Sequence, residues 1–213
     1  MDTGQTIFEI LEYVGAIHHG HFVLVSRQHS NMYFGKQWLT LPQYRKEAYL
    51  VSCYLAGEFM DCDIDIVIGP AEGARVVAAY VADHLSRLDQ REVLGLCAEK
   101  KKQPGAFYIR PEDISLLNGK RTIVVEDTLS TGASVRAVVE LVRKYGAHVV
   151  GVGSIINRGG VTEEDVGDVP SLVSLLRVFT NIWESSQCPL CIEGIIAVNI
   201  NLGKGTEFLA GRY

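Results

Sequence analysis

None of the apolar runs in the 213 residues approaches the ~18 needed to cross a bilayer as a helix, so no such span is expected. Cationic excess is missing too: twenty Lys and Arg stand against twenty-five Asp and Glu, a formal net charge of −5. No global positive field is available to hold nucleic acid or an anionic membrane, and any polyanion has to be bound locally. Cysteines number five, which is odd, few for this length and not spaced as a disulfide framework, so reduced thiols are expected. Met1 to Thr6 carries an Asp and shows neither the basic start nor the apolar stretch of a secretory signal, and a cytoplasmic protein is the expectation. Against these absences, 47% apolar and 21% charged residues give an ordinary globular composition, and the length suits one domain with a sizeable core.

Hydrophobic periodicity organises the chain. Ile7, Leu11, Val14 and Ile17 recur at helical spacing, with Gly20 stopping the pattern beside His18, His19 and His21. Short strands are expected at Phe22 to Val25 and Met32 to Gly35, around the polar stretch Ser26 to Asn31, which forms a hairpin or loop. Pro42 opens a second helical stripe of Tyr44, Ala48, Val51, Leu55 and Phe59. From there strands and helices alternate. Ile64 to Ile68 is a strand, Val77, Val81, Leu85 and Leu88 mark a helix, and Val93 to Cys97 and Thr122 to Val125 are strands. Val135, Val138, Val142 and Tyr145 mark another helix ending at Gly146, and His148 to Ile156 and the weaker Leu172 to Val178 follow as strands. Unbroken apolar strands separated by helices predict an α/β fold with a mainly parallel sheet covered on both faces. Glu99 to Lys120 interrupts the pattern with three lysines, Gln103-Pro104-Gly105 and a polar tract, and reads as a mobile hairpin or loop rather than core.

The chemistry concentrates in Thr122 to Ser134, TIVVEDTLSTGAS. An apolar strand ends in adjacent carboxylates, Glu126 and Asp127, and a small hydroxyl-rich turn then opens a helix. Ligands of open α/β sheets bind at the carboxyl ends of strands. Exposed N–H groups and the positive end of a helix suit a phosphate there. The two acids would repel that phosphate and must face something else, such as sugar hydroxyls or a hydrated cation. A Walker loop is excluded because no Gly-Lys-Ser/Thr follows, and the Gly-x-Gly-x-x-Gly fingerprint is absent as well. An N-capped helix with two surface acids accounts for Asp127 and Ser130 but not for the whole string.

Val124 to Ser134 resembles the 5-phosphoribosyl 1-pyrophosphate (PRPP) signature of the type I phosphoribosyltransferases. The resemblance implies that family's fold: a mainly parallel sheet flanked by helices, with a small hood from the N- and C-terminal segments. Carried over, Glu126 and Asp127 hold the ribose hydroxyls, and Thr128, Leu129, Ser130, Thr131, Gly132, Ala133 and Ser134 hold the 5′-phosphate. Pro70, Ala71, Glu72 and Gly73, after the strand Ile64 to Ile68, resemble the family's pyrophosphate loop, with the Glu72 carboxylate expected to face away or toward magnesium-bound water.

The likeness narrows to the orotate phosphoribosyltransferase family and runs nearly end to end. Gly15-Ala16-Ile17, Phe22 to Ser26 and His29 to Tyr33 are similar to its hood, and Ile155 to Gly160 to the segment whose arginine contacts orotate. Cys188-Pro189-Leu190-Cys191 with Glu193-Gly194 resembles a C-terminal stretch of one branch. The implied activity joins orotate to PRPP with Mg2+, giving orotidine 5′-phosphate and pyrophosphate. Arg158 would read the orotate carboxylate, since a planar guanidinium suits paired acceptors. Tyr33 and Phe34 would wall the pyrimidine, with Ser26 beside them and Ser130 touching both phosphate and base edge. Lys100, Lys101 and Lys102 fall where the family keeps a flexible catalytic loop, Lys100 being the leading candidate, with Asp127 as the other catalytic residue. Magnesium is expected to arrive on PRPP without a direct protein ligand, Asp127 standing one shell away. A homodimer is implied, because family dimers place a loop lysine in the neighbour's site.

On this reading the chain is one domain with a hood at about 1–40 and 180–213, a core at about 41–179 and a flexible loop at about 99–110. Two features depart from the family pattern. Leu24-Val25-Ser26-Arg27 stands where Leu-Lys-Ser-Gly is usual, and no histidine accompanies the three lysines. Action on a purine or another pyrimidine, or a non-catalytic PRPP sensor, therefore stay open as alternatives. Cys188 and Cys191 form half of a zinc site with no second pair at suitable spacing nearby, and a structural role at a helix start is expected for them. None of the histidines gains a role from its spacing, and only His29 falls close to the expected hood.

Overall fold

Apolar runs unbroken by polar residues need cover on both faces of the sheet they enter. The computed structural model of the chain describes residues 3–24, 26–103, 105–195 and 202–211, with the backbone but not the side chain of Glu72. In chain order it holds α1 (Thr3–Tyr13), β1 (Ile17–Val23), β2 (His29–Phe34), α2 (Arg45–Gly57), β3 (Ile66–Pro70), α3 (Ala71–Asp89), β4 (Leu94–Lys100) and β5 (Phe107–Tyr108). Then come α4 (Pro111–Ile114), β6 (Arg121–Leu129), α5 (Ala133–Lys144), β7 (His148–Asn157), β8 (Leu172–Arg177), β9 (Ile182–Trp183), α6 (Pro189–Ile192) and α7 (Gly205–Leu209).

The main sheet runs in the order β5-β4-β3-β6-β7-β8, parallel except for the β4–β5 edge pair. Alternation along the strands divides the core in two. Val67, Ile123, Val125 and Ile155 face a cluster with α1, α2 and α3, through Ile7, Leu11, Leu55, Val77, Val81 and Leu85. Ile66, Ile68, Val124 and Val152 face the other side, against Val135, Val138, Val139 and Val142 of α5. At roughly 1.5–3 kcal/mol for each fully buried aliphatic side chain, these two layers fix the strand order and register. The order also creates a switch point. From β3 the chain crosses through α3 to β4 on one side, and from β6 it crosses through α5 to β7 on the other. A crevice therefore opens at the carboxyl ends of the adjacent strands β3 and β6. Over it lies a second, three-stranded antiparallel sheet, β1-β2-β9.

Several expected boundaries move. The first helix ends at Tyr13, and Ile17 with Gly20 belongs to β1. Gly15 sits at φ +66°, the left-handed ending that glycine favours, and the Ala16 N–H donates back to the Leu11 carbonyl. Ile17 mimicked the helical stripe because, from its strand, it packs on the same core cluster. The expected strands do form a hairpin, but its turn is shorter than Ser26 to Asn31: His29 to Asn31 already lie in β2, and the Leu24 N–H closes the turn on the Gln28 carbonyl. All four histidines from His18 to His29 thus sit on hood strands, where only His29 was expected nearby. β6 does not stop at the paired acids but runs through them to Leu129, which pairs with Asn157. The Glu99–Lys120 insertion is not wholly peripheral either, because Phe107 and Ile109 are buried in the second core cluster.

Candidate active site

Four strand ends deliver their residues to one rim. β3 ends at Pro70, opposite Ala98 of β4, and β4 continues to Lys100. β6 carries Glu126 and Asp127, and β7 ends at Asn157, directly before Arg158. Together with the hood they line a crevice of about 400 Å3 in which Tyr33, Phe34 and Ser26 face Pro70, Ala71, Lys100, Glu126, Asp127, Thr128, Ser130, Thr131, Ser134 and Arg158. Gly73 lies just behind: a Cβ there would come within 3.0 Å of Asp127 Oδ1 and 3.1 Å of Lys36 Cδ. An adjoining hollow of about 350 Å3 is lined by Thr128 to Val135, including Leu129, Gly132 and Ala133, with Lys36 and Arg158. Lys101 and Lys102 are exposed and line none of the crevices found among the described residues. The departure at Val25 and the direction of the Glu72 carboxylate lie outside what is described.

The turn after β6 is built to hold an anion. Gly132 stands at φ +75° as the residue before α5, and a Cβ there would press on Val161 and Val166 at 3.0 Å. The 12-residue helix that follows directs its positive end into the turn, where the Ala133 N–H already donates to Thr131 Oγ1 at 3.4 Å. Gly159 is needed for a different reason, because a Cβ there would lie 1.6 Å from the Ser130 carbonyl oxygen. That close approach lets the strand end holding Arg158 pack against the phosphate turn. Across the crevice, Ala71 takes φ +51°, a left-handed conformation costing roughly 1 kcal/mol for a residue with a Cβ. Strain at this loop start is characteristic of a backbone held for a ligand.

The charges are arranged in opposition. Glu126 and Asp127 are adjacent on β6, and Glu126 Oε1 accepts the Asp127 N–H at 3.1 Å. Burial, then the neighbouring Asp127 charge, push the Glu126 carboxyl well above its ordinary range, so it holds its proton more readily than a free glutamate. Lys36 opposes that shift from below the hood. Arg158 Nε donates to Ser130 Oγ at 2.8 Å, while its Nη1 is buried without a hydrogen-bond partner. Burial lowers the Arg158 pKa from its very high ordinary value, and the group remains a cation at neutral pH. An unpartnered buried guanidinium nitrogen in a ligand-sized crevice calls for an acceptor from outside the chain.

Lys36 was not singled out in the sequence, and neither was Gln28, which lines the hood side and is held by a bond to Glu184 Oε1 at 3.0 Å. The available signal for Lys36 was slight: a lone cation directly after Gly35, where the hood strand leaves for the core. It borders the main crevice, the phosphate hollow and the space beside Lys100. That supplies a cation close to the rim, although the hood turn does not carry the family's usual lysine.

A glycine-led helix start facing a strained strand-to-helix junction, with paired acids beside them at the switch point of a parallel sheet, is the arrangement expected of the phosphoribosyltransferase class. Residues 47–191 match the family model described as phosphoribosyl transferase domain. Orotate phosphoribosyltransferase of Thermotoga petrophila is 38% identical over 195 residues, covering 90% of this chain and 95% of the relative. That of Caldanaerobacter subterraneus subsp. tengcongensis is 37% identical over 191 residues, covering 90% and 93%. The chain belongs to the orotate phosphoribosyltransferase family. Among solved structures, the orotate phosphoribosyltransferase from Aeropyrum pernix matches with a TM-score of 0.61 at 25% identity, covering 79% of this chain and 92% of that one.

Proposed function

We propose that this chain transfers the 5-phosphoribosyl group of PRPP to orotate, giving orotidine 5′-phosphate and pyrophosphate. The observation that carries the reading is the half-buried Arg158 with its buried, unpartnered Nη1, lining the same crevice as the paired acids. Orotate differs from uracil by one carboxylate, and a guanidinium is the group that tells them apart. Tyr33 and Phe34 then flank the base, Ser26 borders it from the hood, and Ser130, bonded to Arg158, links base edge and phosphate turn.

In this assignment Thr128 to Ser134 cup the 5′-phosphate, and Glu126 and Asp127 accept the ribose hydroxyls. Pro70 to Gly73 offer the pyrophosphate their backbone. The base nitrogen forms a bond to the anomeric carbon as the carbon–oxygen bond to pyrophosphate breaks, the electron pair leaving with the oxygen. Positive charge develops on the sugar and negative charge on the leaving group. Lys100, on the rim, stabilises the latter more in the transition state than in the ground state. Asp127 faces the sugar, where a carboxylate steadies the cationic ring.

The donor set suits Mg2+, a hard cation that keeps most of its waters and binds through one or two carboxylates together with substrate phosphates. Asp127, backed by the Thr128 hydroxyl, would hold its hydration shell. When bound, the ion neutralises pyrophosphate charge. Lys101 and Lys102 are exposed on the loop, and we infer a homodimer in which each loop serves the neighbour's site, as the family resemblance implies. The whole chain then acts as one unit, the hood at about 1–40 and 180–213 closing on the core at about 41–179 with the loop at about 99–110. A cytoplasmic location suits these water-soluble substrates, and among the described residues no helix is long and apolar enough to cross a membrane.

The deciding assay offers PRPP and Mg2+ with orotate, uracil, xanthine, hypoxanthine or adenine and follows pyrophosphate release. Turnover of orotate alone is the expected result. Turnover of a purine without orotate, or PRPP binding without release for any base, would overturn the assignment. Arg158→Ala should raise the KM for orotate about 100-fold or more, since truncation leaves the substrate carboxylate unpaired.

A further inference from the structure

Two cysteines in sequence and two histidines more than 150 positions away converge beneath the hood. Cys188 and Cys191 flank the start of α6, and His21 and His29 come from the neighbouring strands β1 and β2. The four ligand atoms lie within 4.8 Å of one another, and His21, His29 and Cys188 are buried. Cys188 Sγ is 3.5 Å and Cys191 Sγ 3.7 Å from His21 Nε2, and Cys191 Sγ is 3.3 Å from His29 Nδ1. The two ring nitrogens are 2.8 Å apart. The missing half of the zinc pattern is therefore present, supplied by the fold from a strand hairpin rather than by local spacing.

We propose that His21, His29, Cys188 and Cys191 form a structural tetrahedral zinc site that fastens the C-terminal segment to the hood. With Zn–N near 2.05 Å and Zn–S near 2.3 Å, a tetrahedral centre puts sulfur and nitrogen about 3.6 Å apart and two nitrogens about 3.3 Å apart. The observed sulfur–nitrogen spacings match, and the nitrogen pair has to open by about half an ångström. Proton bookkeeping points the same way. His21 Nδ1 sits 3.0 Å from the Ile195 carbonyl, so it carries the proton, and Nε2 presents a lone pair inward. Such a carbonyl partner is the usual outer support of a metal-binding imidazole. That lone pair, His29 Nδ1 and both sulfurs are turned toward one point, and a dication with both sulfurs deprotonated is bound by all four. The donor set of two thiolates and two imidazoles favours zinc over magnesium or calcium, and with four protein ligands no position is left open for a reacting water.

The site is separate from the transfer chemistry, and its test does not depend on the acceptor base. The full chain, purified under reducing conditions and loaded with zinc, is measured for metal by mass spectrometry, together with Cys191→Ser, His29→Asn and the control Cys62→Ser. About one zinc per chain in the wild type and the control, with loss of most of it in both cluster variants, is expected. Replacement by cobalt should give intense tetrahedral visible bands and a sulfur-to-metal transition that Cys191→Ser diminishes. Should Cys191→Ser fail to fold, wild-type stoichiometry and the cobalt spectrum still decide. A zinc-free wild type after loading, a Cys188–Cys191 disulfide under those conditions, or zinc retained equally in all variants overturns the site.

Discussion

The rim and the hood are built on opposite principles, and they differ in how far each can be read from the chain. At the rim, the functional groups are consecutive: Glu126 through Ser134 lie on one strand end, one turn and one helix start, so local order carries the chemistry. In the hood, β1-β2-β9 is a small sheet, and its second-layer partners arrive from α6 and α7 at the far end of the chain. Its groups meet only in three dimensions. The rim rests on two layers of buried aliphatic side chains, whereas the hood strands reach the first of them through Ile17, Met32 and Phe34 and are further held by specific ties, the Gln28–Glu184 bond and the histidine–cysteine cluster among them. Small structures of this kind are where a metal adds most stability.

The largest effect that tests this contrast belongs to the rim. Asp127→Asn should lower kcat/KM for PRPP by about 100- to 1000-fold, the range for losing a group aimed at developing charge. Its thermal midpoint should stay near wild type or rise, because the change removes the buried Asp127 carboxylate from beside Glu126. A large fall in stability with little change in turnover would reverse the assignment of Asp127 from ligand binding to scaffold. The Arg158→Ala loss follows in size and separates base reading from sugar binding, because PRPP affinity should hardly move.

Next comes the loop. Lys100→Ala should lower kcat by at least tenfold through its own crevice. The double variant Lys101→Ala/Lys102→Ala should be impaired through the neighbour's site. Mixing that double variant with Asp127→Asn and allowing subunits to exchange should restore part of the activity, since one of the two sites in a mixed dimer then has every group intact. No recovery on mixing, together with a monomeric sedimentation profile, would remove the shared site.

Legibility followed the same division. The parallel sheet was readable because β3, β6 and β7 are apolar without interruption, and the PRPP turn because its residues are contiguous. Lys36 escaped because a single cation after a strand has no pattern of its own. The first helix was overextended because Ile17 reaches the same core from a strand, and one-dimensional periodicity cannot distinguish the two. Cys188 and Cys191 were visible as a pair, but their partners are separated by seven positions within a hairpin whose turn was placed too wide. Strand register across a tight turn decides which histidines face inward, and composition does not encode that directly.

A chelation experiment sharpens the comparison with a smaller effect. Stripping the wild type with a strong chelator should lower the thermal midpoint by several degrees, the range for about 1–3 kcal/mol in a chain of this size. Amide exchange should accelerate in β1, β2 and α6 while β3, β6 and β7 keep their protection. Uniform acceleration across both sheets would mean that hood and core unfold as one unit, and the division drawn between them would not hold.

The smallest effect lies within the rim and depends on pH. A carboxyl whose folded pKa is raised stabilises the fold most below its unfolded pKa, and that contribution is lost as pH rises through the folded value. Glu126 is in that position because burial and then Asp127 disfavour its charge. Glu126→Gln should therefore match wild type in urea unfolding near pH 4 and exceed it increasingly toward pH 8, while turnover falls because the ribose loses an acceptor. A gap that stays constant across that range would mean the Glu126 carboxyl is ordinary, and the fold would then store no strain in the acid pair. Stability gained where activity is lost is the signature expected of a site held ready for binding, and the zinc cluster should show the reverse: its removal lowers stability and leaves the chemistry at the rim in place.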